Sequence, residues 1–485
     1  MTRRIGAGVI LALALLLAVA LGRTMAMRSL QLSPSPFEAV TVDGQGAVER
    51  LSAAIRCRTI SYRDRDRMDA SEFRRLHEAI QHGFPNVHAA LDREVVNDLG
   101  LLYTWHGRDE AKAPFLFLAH MDVVPASEDD GPWRQPPFSG AVTEGCVWGR
   151  GAVDDKGSML AILEAVEALL ASGFRPARTL YLAFGCDEEV GGDGGAGAIA
   201  ARLASRGIRL AFCLDEGLVI TDGIVPGMAR PLALVAVAEK GYLTVNLDVK
   251  TTGGHSSQPP AQTAIGILAK AITRLEEHPF PAALSGPARA MFEYAGPEMG
   301  FPMRLVFANL WLFRPLVQRQ MEASPATNAG LRTTTAATIF RAGETENVLP
   351  AGASAAVNFR LLPGDSVEEV LERVCKVIDD PRVSVAPREE RTEPSKVSDH
   401  TNEAFRCLSK SIRQVWPEVS VAPGLQIGGT DSKHYVDLAD DLYRFSPFWF
   451  TADDLDMIHG VDERVAIDRY LEAIQFYAQV IRNAQ

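Results

Sequence analysis

Between Pro114 and Gly217 short apolar runs alternate with helical patterns: PFLFLAH, a helix from about Gly157 to Ala171, RTLYLAFGC, a helix from about Gly195 to Ser205, and LAFCLDEG. This strand, helix, strand, helix, strand order predicts α/β units around a mostly parallel sheet. Each of the three runs also ends in groups that carry charge or bind metal: His120, the triplet Asp187, Glu188 and Glu189, and Asp215. Open sheets of this kind bind their ligands at the carboxyl ends of the strands, so the three endings are expected to share one rim. Three consecutive carboxylates repel one another and are costly away from water unless a cation joins them.

A second pattern begins at Gly241. Strand GYLTVNLDVK, a helix from about Ala261 to Glu277, strands TTTAATIF and ASAAVNFRLL, a helix from about Val367 to Ile378 and strand RVSVAP read as β-α-β-β-α-β, the ferredoxin-like order. A Pro-, Phe- and Arg-rich segment at about 279–331 interrupts it. Helical patterning resumes after about Ser395 and closes with a helix from about Asp462 to Arg482. The second domain is therefore inserted in the first: residues 45–240 and 395–485 form the two parts of the first domain, and 241–394 the second.

Ahead of these lies an uncharged run from Ile5 to Gly22, followed by a Ser- and Pro-containing stretch, Gln31 to Gly44, that reads as a tether. Residues 1–30 form a signal peptide or an N-terminal membrane anchor. Ala18, Ala20 and Ala26 suit cleavage, whereas the length of the run and the following Arg23 and Arg28 suit retention. Either way the chain is led to the membrane, and the two domains are expected outside the cytoplasm, membrane-anchored or secreted/periplasmic. The balance of 49 Lys+Arg against 61 Asp+Glu, a formal charge of −12, argues against a nucleic-acid partner. The six scattered cysteines form no CxxC pair, which points away from a disulfide scaffold or a cysteine-ligated zinc module.

Asp122 stands two residues after His120, on the same side of an extended chain, where it suits the second imidazole nitrogen while the first binds a metal. In GRGAVDDKG, Asp154 and Asp155 suit a solvated loop or a helix N-cap, and equally the carboxylate that bridges two cations in a hydrolase. In CDEEVGG two neighbours can divide labour, one ligating metal and the other taking a proton from the water it activates.

The motifs HMDVVP, GRGAVDDKG, DEEVGG, LDEG, GGHSS and IHGVDER, in this order, resemble the di-zinc metallopeptidase family of aminoacylases, succinyl-diaminopimelate desuccinylases and glutamate carboxypeptidases. With GGTDSKHY and the hydrophobic N-terminus, the chain is most similar to its carboxypeptidase S and N-fatty-acyl-amino acid synthase/hydrolase branch. The resemblance implies two zinc ions per chain. His120, Asp154 and Asp215 would hold one, and Asp154, Glu189 and His459 the other. Asp122 would orient His120, Glu188 would be the general base, and the Asp154–Asp155 peptide would be cis. The resemblance makes 45–240 and 395–485 the catalytic domain and 241–394 a lid or dimerisation domain, from which His255, often that of the second subunit of a homodimer, would reach the site and stabilise the oxyanion. Arg360, Asn347 and the turn of Gly428, Gly429 and Thr430 would bind the substrate carboxylate; Arg360 taken alone equally suits a surface strand. The remaining seven histidines read as structural. The implied activity is hydrolysis of the amide bond of N-acyl amino acids or short peptides with a free C-terminal carboxylate. A dipeptidase or desuccinylase of the same family is the alternative within the class, and a non-catalytic homodimeric binding protein the alternative outside it.

Overall fold

The computed structural model describes residues 2–485. Its N-terminal helix α1 spans Thr2–Ala26. The catalytic domain holds an eight-stranded sheet, built in chain order from β1 (Asp92–Val96), β2 (Gly100–Trp105), β3 (Phe115–His120), β4 (Leu180–Gly185), β5 (Leu210–Thr221), β6 (Leu232–Glu239), β11 (Ser420–Gln426) and β12 (Ala439–Phe450). Their order across the sheet is β1-β2-β4-β3-β5-β12-β6-β11, with parallel pairing from β4 through β3 and β5 to β12 and again between β6 and β11.

The apolar runs are continuous because β3 and β4 are buried on both faces. Alternation along the strands divides the core. Phe117, Leu182 and Leu214 pack with helices α2 (Lys156–Ala171) and α9 (Ile467–Asn483), whereas Leu116, Leu118 and Ala183 meet α3 (Ala196–Ser205). Two expected boundaries move. Strand β5 continues past LDEG to Thr221. The closing helix begins at Ile467 rather than near Asp462, because Asp462 adopts a positive φ of 60° and Arg464–Ala466 pairs as a short strand with Cys146–Trp148.

The lid sheet consists of β7 (Gly241–Lys250), β8 (Thr334–Ala342), β9 (Gly352–Leu361) and β10 (Val383–Thr392), ordered β8-β9-β7-β10 and antiparallel throughout. Its core takes in helices α4 (Ala264–Glu277) and α8 (Val367–Ile378), which supply Ile267, Leu268 and Val370, Val374 against Leu243, Val245 and Phe359. Ser366 and Glu369 form a reciprocal cap at the start of α8, which fixes that boundary. The domain is ferredoxin-like, as the β-α-β-β-α-β reading expects.

The segment between α4 and β8 folds into α5 (Gly286–Ala295), α6 (Phe301–Ala308) and α7 (Leu310–Glu322). Although it interrupts the lid in sequence, its apolar cluster of Phe292, Phe307 and Val317 includes Leu232 of β6 and Ala422 of β11, so it rests on the edge of the catalytic sheet. The stretch expected to be a tether is strapped to the same domain. The Gln31 side chain donates to the Val421 carbonyl at 2.9 Å and accepts from its N–H at 2.7 Å, and the Gln475 amide brackets Val40 in the same way.

His77 gives the catalytic domain a pH-dependent element. It lies on helix Ala70–Gly83 among Phe73, Leu76 and Ile80, and burial, with Arg93 next in effect, lowers its pKa from 6.5 to about 4. The unfolded chain therefore binds a proton below pH 6.5 that the folded chain refuses until pH falls to about 4. Stability is lost across that window as pH falls, by up to about 3 kcal/mol. Denaturant unfolding of His77→Phe at pH 7 and pH 4.5 should show a smaller acid loss than the parent; an equal loss would remove His77 from the account.

Candidate metal centre

Four chain segments converge at the carboxyl rim of the sheet. His120 closes β3, Asp154 precedes α2, Glu188 and Glu189 form the turn after β4, and His459 lies in the loop before α9. His120 is buried, with Nδ1 3.0 Å from the Asp122 carbonyl oxygen, and its Nε2 is 2.9 Å from Asp154 Oδ1. His459 adopts a φ of 58° and brings Nε2 to 3.1 Å from the other Asp154 oxygen and 3.0 Å from Glu189 Oε2. Asp154 thus stands between two imidazoles, each within reach of a further carboxylate.

For His120 that further carboxylate is Glu216, whose Oε1 lies 3.5 Å from Nε2. The expected partner, Asp215, is not brought into the group. Its Oδ2 accepts the Ser432 N–H at 2.7 Å and its Oδ1 accepts the Glu216 N–H at 2.9 Å. The two neighbours part at a break in β5: Asp215 still pairs with Arg444 of β12, the register resumes only at Leu218, and Glu216, between them, turns to His120.

The Asp122 carboxylate stands against His120, as expected, and has a second role. Its two oxygens accept the N–H groups of Glu188 and Glu189, each at 3.2 Å, and one stands 3.4 Å from His120 Nδ1. It shapes the acidic turn, and the shorter contact to the imidazole comes from its own carbonyl.

The expected cis peptide between Asp154 and Asp155 is present. Its loop is held by a residue the sequence reading passed over. Glu463, fully buried, accepts the N–H groups of Gly151, Val153 and Asp154 on Oε1 at 3.0, 2.9 and 3.1 Å, while its Oε2 meets Arg150 at 2.7 Å. The signal was the VDER that follows IHG: a carboxylate close in sequence to a ligand. Outer partners of this type typically tune metal affinity 10–100-fold. Glu463→Gln should lower metal affinity by about that factor, with activity returning at high metal, as a metal titration of turnover would read out. Activity lost at every metal concentration would mean that the substitution had damaged the fold instead.

The substrate groups are more dispersed. His255 is exposed on the lid, its Nδ1 accepting the Ser257 N–H at 3.1 Å, and it pairs with Val348 beside Asn347. Arg360, in β9, lies over the Tyr242 ring with its guanidinium carbon 4.8 Å from the centroid. Thr430 is buried, its hydroxyl donating to Glu239 Oε2 at 2.9 Å, which leaves the exposed Gly429 as the open part of that turn. None of these lies among the residues that gather around Asp154.

The charge balance fits cations. Burial, reinforced by neighbouring carboxylates, drives Glu188 and Glu216 well above the usual range, and burial raises Glu189. Hydrogen bonds to the Asp154 and Glu189 carboxylates push His459 up to about 10. A buried Glu189 oxygen has no hydrogen-bond partner. Such a crowd of carboxylates around two imidazoles is a donor set that divalent metals satisfy, and oxygen and nitrogen donors of this kind suit zinc.

The family described as Peptidase family M20/M25/M40 matches residues 116–483. The chain is 41% identical over 459 residues to "Probable carboxypeptidase S-like 2" of Dictyostelium discoideum, covering 94% of this chain and 88% of that one. It is 42% identical over 441 residues to "N-fatty-acyl-amino acid synthase/hydrolase PM20D1" of Xenopus tropicalis, covering 90% and 85%. Among solved structures, an M20 family metallo-carboxypeptidase from Sulfolobus solfataricus matches with a TM-score of 0.67 at 17% identity, over 90% of this chain and 98% of that one.

Proposed function

The chain belongs to peptidase family M20/M25/M40, and from that premise we propose that it is a hydrolase of N-acyl amino acids or short peptides with a free C-terminal carboxylate, working with two zinc ions. The observation that carries the reading is Asp154 placed between His120 and His459, with the Glu188–Glu189 turn fixed beside it by Asp122. His120, Asp154 and Glu216 would hold one zinc, and Asp154, Glu189 and His459 the other. Cations held there would supply polarisation of the amide carbonyl and a water that is nucleophilic at neutral pH.

The protein's own groups do the rest. Glu188 takes the proton of the attacking water and delivers it to the departing amine nitrogen. His255 hydrogen-bonds the carbonyl oxygen as it gains charge, and Arg360 pairs with the substrate carboxylate. Because His255 and Asn347 are presented together on an exposed part of the lid, they reach the substrate by lid closure or from the second chain of a homodimer. Helix α1 anchors the catalytic domain to the outer face of a membrane: Ala7–Ala26, 20 residues of mean hydropathy 2.3, is long and apolar enough to cross one.

The test is hydrolysis of N-acetyl to N-oleoyl amino acids and Gly-X dipeptides by the full chain, with metal content measured on the same sample. About two zinc ions per chain and turnover abolished by chelation are expected, and the preferred acyl length separates a fatty-acyl hydrolase from a dipeptidase. Protein without metal and without turnover would return the binding-protein reading.

A further inference from the structure

Helix α7 is apolar on two opposite faces. Leu310, Phe313 and Val317, at helical spacing, pack inward on Phe307 and Phe292. Trp311, Leu312 and Leu316 point outward and are exposed, Trp311 by 54% and Leu316 by 61%. Phe301, at the start of the adjacent α6, is 55% exposed. The helix also carries Arg314, Gln318, Arg319 and Gln320, so it is not one that the fold buries whole, but a cluster of exposed large apolar side chains marks an interaction surface.

The structure also shows what lies beside this surface. The last turns of α1 dock on α6 and α7: the Asn309 amide donates to the Ala20 carbonyl at 3.0 Å and to Thr24 Oγ1 at 3.3 Å, and Arg23 Nε donates to the Ala308 carbonyl at 3.1 Å. Ala20, Thr24 and Asn309 are buried in this joint. The same asparagine accepts the Trp311 indole N–H at 3.2 Å, so the ring is turned outward with its polar edge satisfied.

Length then decides the matter. At 1.5 Å per residue the apolar helix from Ala7 to Ala26 is about 30 Å long, which matches the hydrocarbon core of a bilayer. The uncharged part ahead of the joint, Ile5 to Val19, is only about 22 Å long. A helix that crosses the bilayer must therefore carry its docked partner about 8 Å into the membrane, the depth at which interfacial elements sit.

We propose that α6 and α7 form a membrane-embedded platform, with Phe301, Trp311, Leu312 and Leu316 inserted among the acyl chains of the bilayer that α1 enters. Arg28 follows the span at headgroup level, and the exposed Arg23 and Arg314 run their charged ends out to it. The platform fixes the catalytic domain against lipid, where long-chain acyl substrates concentrate. This inference rests on the reading of α1 as a membrane helix, and the test separates the two.

The full chain would be reconstituted in phosphatidylcholine vesicles with and without brominated acyl chains. The Trp311 contribution to emission is defined as the difference between the parent and Trp311→Phe, which removes one of six tryptophans. Vesicle flotation and quenching of that contribution by at least about half are expected, with less quenching in a Leu312→Lys, Leu316→Lys variant that still floats and still hydrolyses substrate. Flotation with an unquenched Trp311 would overturn the platform and leave the anchor standing. An unquenched Trp311 together with a dimer cross-linked through α7 would assign the surface to a second copy of the chain. Protein that does not float would overturn both readings.

Discussion

Glu188→Ala is expected to lower kcat/KM by about 10³-fold, within the 10²–10⁴ range for loss of a general acid–base group, while bound metal stays unchanged. The backbone at this position is fixed independently of the side chain, because the N–H groups of Glu188 and Glu189 are both held by the Asp122 carboxylate. Glu188 also makes no short contact to either imidazole, whereas Glu189 meets His459 at 3.0 Å. Removing the Glu188 carboxylate therefore takes away a proton carrier and leaves the ligands in place. The loss should fall on kcat, with KM little changed, and Glu188→Gln should behave alike because it keeps the shape and lacks the base. Hydrolysis that survived either substitution would sink the mechanism.

The second large effect separates two adjacent residues. Glu216→Ala should reduce metal content from about two ions per chain to about one and lower turnover about 10³-fold, since one cation loses a ligand. Asp215→Asn should leave the metal content intact. Its cost should appear in stability, about 1–3 kcal/mol, because an amide is a poorer acceptor for the buried Ser432 and Glu216 N–H groups. Metal analysis of both variants, with denaturant unfolding of each, distinguishes them. Metal loss on Asp215→Asn with retention on Glu216→Ala would reverse the assignment and require β5 to present its other face.

Much of the site could be read in the sequence because its members are punctuation marks. His120 and the Glu188–Glu189 pair follow apolar runs that have to be buried strands, so their place at one rim follows from the strand order alone. The lid was legible for a related reason: alternation in GYLTVNLDVK and the 3.6-residue period of 367–378 fix strand and helix locally. The expected end of β5 at LDEG failed because LVIT, which follows, is itself a strand-forming run. No local signal says whether a strand stops or continues there, and one residue of difference turns every side chain to the other face. Glu463 was passed over since its work is to accept backbone N–H groups from residues 151–154, a relation between segments about 310 positions apart.

By itself the sequence determined the α/β class, the inserted ferredoxin-like lid and the chemistry of the rim, because burial period and residue type are local properties of the chain. Its motifs around Asp154, the Glu188–Glu189 pair and the two histidines also resemble the pattern of the family to which the chain belongs. Only the tertiary structure decided which neighbour of the LDEG pair lies beside His120, that Glu463 holds the Asp154 loop, and that the 279–331 segment clasps the end of α1 while resting on the catalytic sheet. Each of these depends on which surfaces meet across the fold, and contact between distant segments is set by packing rather than by the pattern of any one of them.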